Sequence, residues 1–488
     1  MESVQIVLLI IVFIIMALSM FFRKIPALIA LPLMAFLIAL IGGIEFNDIF
    51  QYVIGQGSLK LYNAYTIAMF GSMLSVILQR TGVAESFIKK GAELSGDNPW
   101  IIAVIMLMLI TMLFTTLGGL GAIIMVATIV LPIMASVGIG PMTIVGIFLI
   151  GLSIGGTLNV GNWAVYVSVM GLSVVEIRPF ALVMFSMTFI AALVYITIQL
   201  YKDGHDLKLK KIIIRSIIFL AVIAFIICAY LFLLTPELQA DIKIFLTDVW
   251  IVIKWIIAAA IVFLFIHALY RAVFVNTNDI HWGSYFTPVI PLFLILIFNL
   301  DFIAAFIIGL IFCFISTYKK GRLNLFVKAI FDGGAVVMPA VALMFGIGML
   351  LNAIMGPGLQ LPQYPDGWPV LNLLKPLMAQ IIPGSAIVYV VFFTLIAPLA
   401  LYRGPLNVWG MGYGLAAVFL ASGLNPGAVM GLLLAVGQIQ GISDPTNTHN
   451  VWLANEMQIN VQKVLWNTIP YTWLLAFLGL IVSAMMFM

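Results

Sequence analysis

"GISDPTNTHN" fills residues 441–450, setting an aspartate, a histidine, a serine, two threonines and two asparagines between strongly apolar flanks. A second stretch, "SIGGTLNVGN" at 153–162, interrupts another apolar run in the same way. Both runs, 426–455 and 141–170, are long enough to span a membrane and are cut near their middles. A helix broken in hydrocarbon leaves backbone N–H and C=O groups unpaired, at several kcal/mol each, unless protein, water or ligand satisfies them. Such breaks are tolerated where the loosened backbone lines a cavity. The two stretches therefore read as two halves of one binding site.

The rest of the chain fits that reading. Of its 488 residues, 64% are hydrophobic and 8% charged, with a mean hydropathy of +1.22, well beyond a water-soluble globule. Apolar runs predict membrane helices near 3–22, 25–43, 62–79, 179–201, 212–234, 247–270, 286–299, 302–317, 335–355 and 466–488. The first, "VQIVLLIIVFIIMALSMFF", has no cleavage-site pattern behind it and reads as a retained helix. Residues 100–138 and 381–420 are each about two spans long and break at "TTLGGLG" and "YRGPLNVWGMG". They are expected to be hairpins that enter and return on one side. The fold class is thus an all-α polytopic membrane protein, with helix 83–99, "VAESFIKKGAELSGDNP", lying on its cytoplasmic surface.

Lysine and arginine set the orientation. With both termini outside, Lys60, Arg178, Lys243 and Lys375 fall outside and Lys254 and Arg403 fall within apolar segments. The remaining sixteen of the 22 basic residues lie on the cytoplasmic side of what is expected to be the inner membrane. Treating either hairpin as a full crossing would scatter that bias. The net charge of +4 is an orientation signal, and nothing in it points to nucleic acid.

The chain also repeats itself. At a fixed offset of 285, Pro141 falls on Pro426, Gly119 on Gly404, Gly156 on Gly441, Asn159 on Asp444 and Asn162 on Asn447. Residues 1–201 and 285–488 read as two copies of opposite topology, joined through 202–284 by a basic loop and two connecting helices. Inverted copies that meet at broken helices are a common plan of secondary transporters.

Individual side chains narrow the chemistry. Arg403, at the second hairpin tip, suits bidentate pairing with a substrate carboxylate; a static bridge to Asp444 and an extracellular position are the alternatives. Asp444 is the only acid in either unwound segment and could take a proton, ligate sodium, or act as a structural counter-ion. His449 is a relay candidate or a packing histidine. Thr115, Thr116, Gly118, Gly119, Thr157, Asn159, Asn162, Gly404, Asn407, Thr446 and Asn447 are candidate substrate contacts. Ser443 and Thr448 join Asp444, Asn159 and His449 as candidates for ion coupling, and Trp409, Gln438 and Gln440 as wall residues. Some of these hydroxyls and amides cap the broken ends instead. No nucleotide-binding loop, zinc-type histidine spacing or serine-nucleophile elbow occurs, so no catalytic cluster, cofactor or bound metal is expected.

Residues 115–159, "TTLGGLGAIIMVATIVLPIMASVGIGPMTIVGIFLIGLSIGGTLN", resemble the first hairpin and broken helix of the citrate–metal symporters of the ion transporter superfamily. Residues 441–483, "GISDPTNTHNVWLANEMQINVQKVLWNTIPYTWLLAFLGLIVS", are similar to the closing region of the gluconate permeases. The resemblance implies an organic-anion carrier driven by protons or sodium, and a homodimer whose mobile domain carries the hairpins and broken helices across the bilayer. Substrate and ion contacts would fall on 115–119, 155–162, 403–407 and 443–449. The sequence thus reads as a cation-coupled secondary transporter of a small carboxylate such as a di- or tricarboxylate or sugar acid. The alternatives are a sodium/proton antiporter, and a channel or membrane subunit of a larger assembly.

Overall fold

The computed structural model describes residues 2–488 except 23, 208–233 (all but 214, 218, 222 and 225), 276–279, 320, 382 and 409–411. The expected helix at 212–234 and Trp409 lie outside the described residues. Of the described residues 82% are helical, and no strand occurs among them. Among the described residues, eight helices are long and apolar enough to cross a membrane, or nine if one bent pair counts as a single span.

Each copy uses the same parts in the same order. In the first, α1 (Glu2–Phe21) and α2 (Ala27–Ile41) lead to a helical segment at 46–59 and then to α3 (Tyr62–Thr81). The short amphipathic α4 (Val83–Ser95) follows. The first hairpin has limbs α5 (Pro99–Phe114) and α6 (Leu120–Ser136). Its α4 lies against both limbs, as it must when they leave and return on one side. The first broken helix is α7 (Pro141–Thr157) with α8 (Val160–Met170), bent by 48° at the break, and α9 (Val174–Lys202) closes the copy.

The connecting α10 (Pro236–Phe274) runs 39 residues, about 58 Å at 1.5 Å per residue. It leans on α12 (Phe302–Ser316) and leaves most of its apolar surface outward. After α11 (Val289–Phe298) and α12, the second copy repeats the plan. The long α13 (Leu323–Met355) matches 46–81, and α14 (Pro369–Ile381) matches α4. The second hairpin descends through α15 (Ala386–Ile396) and a tight turn, Ala397–Arg403, and returns as α16 (Tyr413–Ala421). The second broken helix is α17 (Pro426–Ser443) with α18 (Thr448–Glu456), and α19 (Val461–Phe487) ends the chain.

Two expectations need correcting. Residues 46–59, assigned to no element from the sequence, are helical, and 49–56 wind more widely than an α-helix. Residue 381 is the end of α14 rather than the start of the hairpin, whose first limb begins at Ala386. The segments 46–59 and 369–381 carry Asn, Gly, Gln or Pro among their apolar residues, which breaks the continuous hydrophobicity used to find spans.

Close glycine contact sets the α13 pillar against the segment before α3. A Cβ on Gly348 would stand 2.2 Å from the Gly57 carbonyl oxygen, and one on Gly57 would stand 2.7 Å from Met349 Cα. Small residues at such a crossing let two backbones touch where lipid supplies no hydrophobic drive.

Candidate functional site

Both hairpin tips and both breaks converge on one cavity of about 900 Å³. Each break is held by the same device. At the first, Asn159 accepts the Gly161 and Asn162 N–H groups at 2.9 and 3.4 Å, capping α8. Its Nδ2 donates across to the carbonyls of Phe114 and Leu117 at 3.0 and 3.3 Å, fastening the first tip. At the second, Asp444 accepts from the backbone N–H and hydroxyl of Thr446 at 2.9 and 2.8 Å. It also accepts from the backbone N–H of Tyr402 at 3.0 Å and of Arg403 at 3.5 Å, with Asn407 Nδ2 at 3.4 Å. Positions 159 and 444, one offset apart, are thus bolts of opposite polarity. One donates to tip carbonyls and the other accepts from tip amides.

The second tip is shaped for its carboxylate. Tyr402 and Arg403 sit at φ 55° and 57°, a left-handed conformation that turns consecutive N–H groups inward as an anion nest. The first tip turns instead at Gly119, φ 84°, where a side chain would be strained.

The carbonyl ends loosened by the breaks are also satisfied. Asn162 Nδ2 and Trp163 Nε1 donate to Gly156 and Thr157 carbonyls at 2.9 and 2.8 Å. In the second copy Asn447 and Asn450 donate to Gln440 and Ile442 at 2.6 and 2.9 Å, and His449 Nε2 lies 3.3 Å from the Gly441 oxygen. A carbonyl can only accept, so Nε2 is the donor there, and His449 serves first as a cap. At the N-terminal ends the copies differ. Asn159 caps α8, whereas Asn447 makes no side-chain cap on α18. The first N–H groups of α18 therefore keep their partial positive charge.

The two copies meet on an axis. Ser153 Oγ donates to Gln438 Oε1 at 2.8 Å, and these residues are 285 apart. Two positions related by the repeat can touch each other only where the pseudo-two-fold passes between them. Gln438 Nε2 continues the network to Thr157 Oγ1 at 3.2 Å.

Most expected site residues line the cavity. Thr116, Gly118, Gly119, Thr157, Asn159 and Asn162 do so from the first copy, and Arg403, Asn407, Asn447, Thr448 and His449 from the second, with Gln438 and Gln440 as wall residues. The other five do not line it. Thr115 bonds back to Met112 O at 2.7 Å, the commoner fate of a hydroxyl at a helix end. Gly404 is packed against its own turn at Leu399 O. Ser443 faces α19, bonded to Thr468 and Thr472 at 2.8 and 2.9 Å. Thr446 serves Asp444, which is itself 0% exposed behind the tip. The static bridge from the Arg403 guanidinium to Asp444 does not form. The two residues are coupled through the Arg403 backbone, and the exposed side chain lines the cavity.

Ser153, Tyr166 and Tyr413 also line the cavity and were missed. Ser153 could have been found from the offset, as the mate of Gln438. Nothing in the sequence marked the tyrosines or the opposite wall, where α13 contributes Val336–Val337 and Pro339–Ala340.

No family model and no curated protein matches the chain. A solved structure is similar: the YdaH transporter of Alcanivorax borkumensis, described as having an unusual topology. It is 12% identical with a TM-score of 0.50, over 88% of this chain and 86% of that one. At that identity the likeness establishes the fold, a multi-pass membrane architecture of the kind seen in that transporter.

Proposed function

We propose that the protein is a secondary transporter that carries a small organic anion, a carboxylate, across the membrane with a proton or sodium ion. The observation that carries this reading is the exposed Arg403 side chain in a cavity walled by two hairpin tips and two broken helices. An arginine at membrane depth costs roughly 2.5–3.5 kcal/mol, which an aqueous cavity and an anionic ligand offset. The uncapped start of α18, in the same wall, adds donors for the anion.

Asp444 is the coupling residue in this reading, and it acts through the tip. Its charge holds the nest at Tyr402 and Arg403 closed; a proton or cation on the carboxylate competes for the same lone pairs and loosens it. The antiporter alternative needs a carboxylate open to the cavity, and among the described residues none lines it. The hairpins and broken helices form the body that moves, in an elevator-type exchange within a homodimer, as the family resemblance implies.

The test is uptake of labelled carboxylates into proteoliposomes under imposed proton or sodium gradients, for the wild type and Arg403→Gln. Gradient-driven accumulation that the variant loses supports the reading. Cation exchange without organic substrate, or flux indifferent to either gradient, overturns it.

A further inference from the structure

We propose that the cargo is a monoanion: one carboxylate, seated at the second tip, on a molecule whose other polar groups are uncharged. This rests on the carrier reading above and adds the charge of what is carried.

The inference follows from where the repeat breaks its own symmetry. The offset that places Gly119 on Gly404 also places Gly118 on Arg403. The position that carries a guanidinium in one tip is therefore empty in the other. Gly118 is exposed, lines the cavity, and has nothing within 4 Å of where a Cβ would stand. A second anion anchor would fit there and is absent. The rest of the polar wall holds no second fixed cation: it is made of hydroxyls and amides such as Ser153, Asn162, Gln438 and Asn447, and of His449, whose Nε2 is spent on the Gly441 carbonyl oxygen. Among the described residues Arg403 is the one Lys or Arg in the lining, and no Asp or Glu joins it. Asp444, the acid nearest in sequence, has its oxygens occupied by the second tip and Thr446.

A second carboxylate on the cargo would face amides, hydroxyls and apolar wall without a counter-charge. An ionised group left without a charged partner on desolvation loses about 10- to 100-fold in binding. Hydroxyls and amides on the cargo meet no such penalty, because the wall offers both donors and acceptors.

The experiment is calorimetric titration of the purified full-length protein with two matched pairs, succinamate against succinate and gluconate against glucarate. In a pair that binds, the monoanion is expected to bind at least tenfold tighter than the dianion. Gly118→Arg, which supplies the missing guanidinium, is expected to move that ratio toward the dianion by at least tenfold. Tighter binding of the dianion to the wild type overturns the proposal. So does an unchanged ratio in a Gly118→Arg protein that elutes and melts like the wild type. If the dianion wins and Arg403→Gln abolishes its binding, the anion carrier stands and only the single charge falls. If no member of either pair binds and none is taken up by proteoliposomes, both readings fall.

Discussion

Asp444→Asn keeps the shape of the second bolt and removes its charge. In the native tip Tyr402 and Arg403 are held at φ 55° and 57°. A left-handed residue costs about 1–2 kcal/mol, so the turn stores about 2–4 kcal/mol. Against this stands one good charge-assisted bond, Tyr402 N–H at 3.0 Å. It contributes about 1.5–3 kcal/mol. The contacts from Arg403 and Asn407, at 3.5 and 3.4 Å, lie at the limit of hydrogen bonding and add little each. Latch and strain are of the same size, so the tip sits near balance. The asparagine replaces a charge-assisted bond with a neutral one about half as strong, and its NH₂ meets the Arg403 N–H donor to donor. The closed tip should lose about 1–2 kcal/mol, making it open about 5–30-fold more often. Hydrogen exchange of a peptide covering 399–408 reads this directly, with the same protein assayed for uptake. Faster exchange there, with limbs α15 and α16 unchanged and uptake uncoupled from the ion gradient, is the expected result. Exchange within twofold of the wild type would show that the carboxylate does not hold the tip, and the coupling role built on it would fail.

Three further predictions rest on single contacts. Cysteines at Ser153 and Gly441, where a Cβ on residue 441 would stand 3.7 Å from Ser153 Cβ, should cross-link within one chain on mild oxidation; absence of the cross-link in a folded protein would refute the close crossing of α7 and α17. Gly348→Ala drives a methyl to 2.2 Å from the Gly57 carbonyl and should cost about 1–3 kcal/mol, seen as a lower melting temperature in detergent; an unchanged melting point would mean that crossing is loose. Asn447→Ala strips the Gln440 carbonyl of its 2.6 Å donor and should lower the melting temperature by the equivalent of about 1–3 kcal/mol; full retention of stability would mean that this bond does not hold the broken end.

The architecture was legible because it is written in interruptions. Glycines and polar residues inside apolar runs mark both hairpin tips and both breaks, and the common offset ties them into copies. The amphipathic α14 and the wide turn at 49–56 were not legible, since neither has the length and unbroken apolarity of a span. In the site, residue types identified the bolts but not what they grip. Asp444 and Arg403 suggest a salt bridge on paper. The actual contact depends on left-handed backbone at two non-glycine residues, which no local preference announces. Ser443 shows the complementary error. Its position beside Asp444 suggested a share in the ion site, but helical geometry at the end of α17 turns it toward α19.

Asn159 and Asp444 also explain why an inverted repeat need not give a symmetric machine. The backbone group each tip presents dictates the side chain that can fasten it: carbonyls of Phe114 and Leu117 demand a donor, amides of Tyr402 and Arg403 an acceptor. Of the two side chains that meet these demands only Asp444 is ionisable, so in the proposed carrier the second tip is the one that answers to a proton or cation. Asn159→Asp tests the logic by putting the wrong polarity into the first bolt. Ionised, the new carboxylate would face two carbonyl oxygens and forfeit both tip bonds, at about 1–3 kcal/mol. Protonated, it could donate to Phe114 O and recover one of them. Folding would then favour the protonated acid over the ionised one. The stability so recovered would be present while the acid holds its proton and lost as rising pH removes it. The variant should therefore melt near the wild type at pH 5 and clearly below it at pH 8, with the wild type as the baseline for all other titrations. A variant that tracks the wild type at both pH values would mean that Asn159 does not grip the tip, and that the opposite polarity of the two bolts has no energetic content.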